Sequence, residues 1–126
     1  MREAEIRSYR DLSVWADGME LAADCYRLTR SFPAEERFGL VSQIRRASVS
    51  VPANIAEGHG RESTQTFIQF LRVSQGSLKE LETHLLLCVR VGISSQQEIE
   101  PALARCESLG KRIRALIRSL QDKTRQ

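Results

Sequence analysis

Apolar side chains recur at steps of three and four residues along four separate stretches of this chain, and nowhere do they alternate with a period of two. That periodicity predicts amphipathic α-helices and gives no support to a sheet. The first stripe is Leu12, Trp15, Met19, Ala22, Ala23 and Tyr26, widened by Leu21, Cys25 and Leu28. Asp17, Glu20, Asp24 and Arg27 fall on its polar side. The second stripe is Leu40, Ile44, Ala47, Ser48, Val51 and Ile55. Phe67, Phe70, Leu71, Ser74, Leu78, Leu81, Leu85 and Cys88 make the third. The fourth runs Ile99, Leu103, Cys106, Leu109, Ile113, Leu116, Ile117 and Leu120.

Breakers and capping residues set the boundaries. Asp11 is a predicted N-cap of the first helix, and Pro33 stops that helix because the residue before proline is driven from the α region. Gly58 and Gly60 end the second helix, and Ser63 or Thr64 caps the third. Gly92 closes the third helix, while Ser94 with Gln97 and Ser95 with Glu98 have capping-box spacing for the fourth. The predicted helices are residues 11–31, 37–59, 64–91 and 95–122, with a polar segment at 1–10 and a basic tail at 123–126. Short connectors imply antiparallel neighbours, so the expected fold is all-α: one domain, an up-down-up-down four-helix bundle.

One stretch resists this scheme. Residues 38–63 read FGLVSQIRRASVSVPANIAEGHGRES, with Pro52 and Asn54 inside a predicted helix. Proline in a helix interior removes a hydrogen bond, here to the Ser48 carbonyl, at about 3 kcal/mol. Either the helix breaks at Val51 or it continues with a kink. The apolar spacing stays in phase across Pro52, which favours the kink. A bend would also free a carbonyl for a polar side chain of a neighbouring helix. Ser74, Gly76 and Ser77 place small side chains mid-way along the third helix and invite a close approach by the second.

Charge is unevenly placed. The 126 residues carry a net +3, with 41% apolar and 28% charged side chains, as in ordinary globular domains. Residues 1–36 have a net charge of −3 and residues 111–126 a net of +5. Three cysteines, Cys25, Cys88 and Cys106, share no CxxC spacing, which argues against a disulfide framework or a zinc site. They lie on or beside apolar stripes and read as packed thiols. The first ten residues have no apolar run, and no apolar stretch approaches the roughly 20 residues that span a bilayer. A cytoplasmic location and no membrane partner are expected.

The residues carry a resemblance. YRDLSVW at 9–15, LTRSFPAEERFGLVSQIRRASVSVPANIAEGHGR at 28–61 and FIQFLRVSQGSLKELETHL at 67–85 are similar to the family of 23S rRNA intervening-sequence proteins, also called simply four-helix-bundle proteins. The resemblance implies a left-handed four-helix bundle that assembles into a ring-shaped homopentamer. Some members are encoded within intervening sequences of bacterial 23S rRNA genes. A related branch comprises accessory proteins of diversity-generating retroelements, in which a basic pentamer binds nucleic acid and a reverse transcriptase.

Candidate site residues each admit two readings. Arg45 and Arg46 suit phosphate contact, since a guanidinium matches phosphate oxygens. Arg46, however, lies on a polar seam of Gln43, Arg46, Ser50, Asn54, Glu57 and Arg61, where it can pair with Glu57, Glu80 or Glu82. Arg45 is expected to point outward. Asn54 is expected to bond backbone loosened by Pro52, and Glu57 to pair with Arg61 four residues on. The run KRIRALIRSLQDKTRQ holds Lys111, Arg112, Arg114, Arg118, Lys123 and Arg125. It reads as a solvated face that also suits the helix macrodipole, or as a surface for an RNA or DNA backbone. No set of aromatics for base stacking accompanies it.

Enzyme chemistry finds no motif. His59 and His84 are the only histidines. A di-iron bundle needs two Glu-x-x-His motifs, whereas Glu80 and His84 are four apart. No arginine stands five to seven residues before either histidine, as a bundle-type ribonuclease motif would need, and no Walker, GxSxG or HExxH string occurs. No catalytic residue, metal or cofactor is expected. The expected function is a non-enzymatic oligomer that binds nucleic-acid backbone without base specificity. The alternative is a protein-interaction scaffold or accessory subunit, for example of a reverse transcriptase.

Overall fold

Each periodic stretch is an α-helix in the computed structural model, which describes residues 6–124. Helix α1 is Ser13–Thr29, α2 Leu40–His59, α3 Thr64–Arg90 and α4 Gln96–Thr124, with single 3-10 turns at Tyr9–Asp11 and Ala34–Glu36. No strand occurs among the described residues. Helix α2 packs on α1 and α3, and α4 packs on α3 and α1, while the diagonal pairs are not backbone neighbours. Cross-helix contacts run in descending register, as in Ser50 with Ser77 and Val51 with Ser74, so neighbours are antiparallel. The fold is the expected four-helix bundle. Leu21, Ile44, Ile55, Leu71, Leu85 and Leu109 are among its fully buried side chains.

Helix α2 runs unbroken through Pro52. Its buried proline rests on α1: a Cβ added to Gly18 would lie 3.2 Å from the Pro52 Cβ. Ser74 Oγ of α3 donates to the Val51 carbonyl at 2.8 Å, which is not the Ser48 carbonyl that Pro52 leaves without its helical donor. Gly76, in contrast, has open space where its side chain would be. Pro52 is thus matched by Gly18 of α1 and not by Gly76 of α3. The small residues of α3 do admit α2, through Ser74 on the Val51 carbonyl and Ser77 on the Ser50 hydroxyl rather than through Gly76. The two helices also approach closely at Gly58, where a Cβ would lie 2.5 Å from Phe70 Cβ.

Other boundaries move for local reasons. Asp11 does not cap α1. Its carboxylate accepts from the backbone N–H groups of Arg7 and Ser8, at 2.8 and 3.1 Å, inside a turn capped by Ser8. These two bonds hold the Asp11 carboxyl below the usual range. Helix α2 starts at Leu40 rather than Arg37, because residues 34–36 form a 3-10 turn and Glu36 Oε1 takes the Leu40 N–H at 3.3 Å. Ser63 caps α3, accepting from Thr66 N–H at 3.2 Å. Ser95 and Glu98 form the capping box of α4, which lowers the Glu98 pKa through the bond from the Ser95 amide. Lys123 and Thr124 belong to α4 rather than to a tail. Residues 1–5 of the predicted polar segment, and residues 125–126 with Arg125, lie outside the described residues.

The first stripe needs the largest correction. Helix α1 buries Val14, Gly18, Leu21, Ala22, Cys25 and Thr29. Met19 and Tyr26 are 47% and 40% exposed. Two overlapping stripes were available in the sequence, and Gly18 decides between them, because only that face admits Pro52.

Candidate functional site

The basic run of α4 divides into two sides. Arg112 faces α1, in an ion pair with Asp17 and a hydrogen bond to Ser13 Oγ at 2.7 Å. Seven residues earlier, Arg105 reaches Asp24 Oδ2 at 3.0 Å and Asp17 Oδ1 at 3.7 Å. Two acids and two arginines, each pair one heptad apart, thus lace the α1–α4 seam. Arg112 serves this seam, which corrects its reading as an outward phosphate contact. Lys111, Arg114 and Arg118 form the other side. They are exposed, recur at steps of three and four, and make no ion pair among the described residues. Lys123 is exposed one turn further on.

Lys111 and Arg114 border a groove of 540 Å³ between α3 and α4. Gly76 and Gly110 lie along it, Leu78 and buried Cys106 form its floor, and Lys79, Glu82 and Glu107 complete its rim. Lys79 Nζ lies 3.3 Å from Glu82 Oε1, which partly neutralises that edge, while Lys111 and Arg114 make no ion pair among the described residues.

The two adjacent arginines of α2 exchange their expected roles. Arg45 turns toward α1, where its Nε–H donates to Thr29 Oγ1 at 2.9 Å and its guanidinium lies 4.4 Å from the Tyr26 ring centroid. Arg46 is exposed and makes no ion pair among the described residues. It shares a 330 Å³ cavity with Gln43, Ala47, Ser50 and Glu80. Helical rotation accounts for the exchange: the buried line Val41, Ile44 and Ser48 carries Arg45 toward α1 and leaves Arg46 outside.

The polar seam is a chain of local satisfactions. Asn54 Nδ2 donates to the Ser50 carbonyl at 2.8 Å and to Ser50 Oγ at 3.0 Å. Ser50 and Ser77 hydroxyls share a hydrogen bond of 2.8 Å across α2–α3. Arg61 pairs with Glu57 at 3.0 Å. His59 packs edge-on to Phe67 at 5.6 Å, and His84 Nε2 is buried without a hydrogen-bond partner among the described residues. The rise per residue sets Phe67, which packs on His59, about 25 Å along α3 from His84. No cluster of metal-ligating side chains occurs among the described residues.

All three cysteines are buried and free. Burial pushes the Cys25 thiol up to about 12 and the Cys88 thiol up to about 11, and raises Cys106 as well. They are packed side chains, not thiolate nucleophiles.

A further site went unseen in the sequence. Tyr26, Arg37, Phe38, Arg45, Arg46 and Val49 border a groove of 630 Å³ between α1 and α2. Phe38 is 89% exposed. Assigning Tyr26 to the core hid this grouping. The signal that could have shown it is the FG pair ahead of α2, a phenylalanine outside every apolar stripe. The α1–α4 ladder also left a signal, the matched seven-residue spacings of Asp17/Asp24 and Arg105/Arg112.

The fold and these surfaces define an all-α bundle protein with charged interhelical grooves. The chain belongs to the 23S rRNA-intervening sequence protein family, whose pattern it matches over residues 10–115. A solved structure described as a protein with unknown function from the S23 ribosomal protein family of Bacteroides thetaiotaomicron has a similar fold. Its TM-score is 0.74 at 23% identity, covering 82% of this chain and 97% of that one. Among curated proteins no match was found. No helix among the described residues is long and apolar enough to cross a membrane.

Proposed function

We propose that this protein is a non-enzymatic, self-associating bundle that binds RNA or DNA backbone in the cytoplasm. The observation that carries the reading is the exposed line Lys111, Arg114 and Arg118 on α4, without carboxylate partners among the described residues. Cations presented this way release condensed counterions when they meet phosphates, and do so without reading bases. A cytosolic setting suits three buried thiols that remain unpaired. Assembly as a homo-oligomer, a pentamer by family resemblance, would repeat the α4 line and sum its field. Exposed Val73, Leu86, Leu87 and Val91 along α3 support a protein-contacting face.

Polynucleotide binding measured across a salt series tests the reading. Reversing Lys111, Arg114 and Arg118 to glutamate is expected to weaken binding and to flatten the salt slope by about 0.7–0.9 per lost phosphate contact. No binding at low salt, or an unchanged slope, refutes it. Sedimentation tests the assembly, which a purely monomeric species at micromolar concentration refutes. The exposed α3 residues also favour a second reading, a scaffold or accessory subunit for a protein partner. That reading expects a partner complex that survives nuclease treatment and is lost on Leu87→Glu.

A further inference from the structure

The groove between α1 and α2 differs from the α4 surface in kind. Phe38 presents nearly its whole ring to solvent at the groove mouth. Exposure of such a ring forgoes the stabilisation that burial would give it. Three guanidiniums line the same groove. Arg37 lies 5.6 Å from the Phe38 ring centroid, Arg45 stands over Tyr26, and Arg46 is exposed without an ion pair among the described residues. The Thr29 hydroxyl fixes Arg45 through Nε, so the guanidinium plane is held in place. No aspartate or glutamate among the described residues lines the groove.

An occupant must therefore offer a flat apolar face and negative charge together. A purely apolar helix would cover Phe38 but desolvate three arginines with no compensating charge. An unpaired nucleobase with its phosphate meets both demands, since bases stack on aromatic rings and on guanidinium planes while phosphates take arginine. In a duplex the bases are stacked on one another and cannot reach the ring. The groove volume lies within the range of ligand sites.

We infer that the Tyr26–Phe38–Arg45–Arg46 groove is a stacking seat for single-stranded nucleic acid, which gives the protein a preference for single strands over duplex. This rests on the nucleic-acid reading above and deepens it. The α4 line would supply attraction blind to strand form, and the α1–α2 groove the discrimination. The two surfaces lie on opposite sides of the bundle, so substitutions separate them.

Fluorescence anisotropy tests the inference, using a labelled pyrimidine oligonucleotide and a duplex of equal length at one salt concentration. Phe38→Ala is expected to weaken single-strand binding about tenfold, within the range known for loss of one stacked base, and to leave duplex binding unchanged. Phe38→Trp should retain the preference. Phe38→Leu, which keeps apolar bulk without a π-face, should behave as Phe38→Ala. Reversal of Lys111, Arg114 and Arg118 should weaken both forms alike. Equal wild-type binding of both forms, or a Phe38→Leu protein equal to wild type, overturns the stacking seat while leaving the backbone reading intact. Absence of binding to either form overturns both. A change of sedimentation coefficient in Phe38→Ala overturns the inference by making the groove an interface between copies. A mononucleotide that competes as well as the oligonucleotide overturns the assignment to a strand.

Discussion

Pro52 of α2 is seated on Gly18 of α1, with 3.2 Å between the Pro52 Cβ and the position a Gly18 Cβ would take. A proline that weakens its own helix is thus accommodated by a neighbouring helix that lacks a side chain. Gly18→Leu is expected to destabilise the protein by about 1–3 kcal/mol through overpacking. Chemical denaturation reads this directly, and an unshifted midpoint would show that α1 and α2 are free to separate.

Gly58 and Gly76 should respond oppositely to alanine. At Gly58 the added methyl would overlap Phe70 Cβ, an atom tied to the α3 backbone that cannot swing aside. At Gly76 it meets nothing within 4 Å. Gly76→Ala should therefore gain up to about 1 kcal/mol of helix propensity. Gly58→Ala should lose more than that gain returns, because α2 and α3 must move apart. Thermal melts of the two variants check the signs, and like signs would contradict the packing.

The same glycines show where the sequence was legible. Period and caps revealed four helices because each stripe and each Ser63- or Ser95-type cap is local. Continuity through Pro52 was legible from the phase of Val51 and Ile55. The partner of Pro52 was not, because a glycine mid-helix looks alike whether it faces a neighbour, as Gly18 does, or solvent, as Gly76 does. The exchange of Arg45 and Arg46 turned on one helical step, about 100°, which fixed-face counting of adjacent residues does not resolve. Tyr26 and Phe38 lie in different elements, and only the antiparallel α1–α2 register brings them to one groove.

The Asp17/Asp24–Arg105/Arg112 ladder is expected to stabilise modestly and to be sensitive to salt. Its arginine side chains remain 36–38% exposed, so each pair is worth about 0.2–1 kcal/mol. A double-mutant cycle with Asp17→Asn and Arg112→Gln should give a coupling of that size in low salt and a smaller one in high salt. Zero coupling at low salt would remove the ladder from the stability of the bundle. Because Arg112 serves α1, Arg112→Gln should also weaken polynucleotide binding less than Arg114→Gln does.

Alkaline pH should destabilise the protein through its thiols. The folded-state pKa values of Cys25 and Cys88 are raised from 9.0 to about 12 and about 11 by burial. Between 9 and those values the unfolded chain sheds thiol protons that the native protein keeps. The native state then binds more protons, and stability falls as pH rises. Below 9 both states are protonated and the contribution is fully present. Denaturant midpoints taken across this window for wild type and Cys25→Ala isolate the effect from other groups that titrate there. The variant should show the shallower alkaline decline even where its absolute stability is lower. Parallel declines would mean that Cys25 ionises as easily in the folded protein as in the unfolded chain. Native-state labelling with a thiol reagent should be correspondingly slow at neutral pH and fast only on unfolding, since all three sulfurs lie within the core.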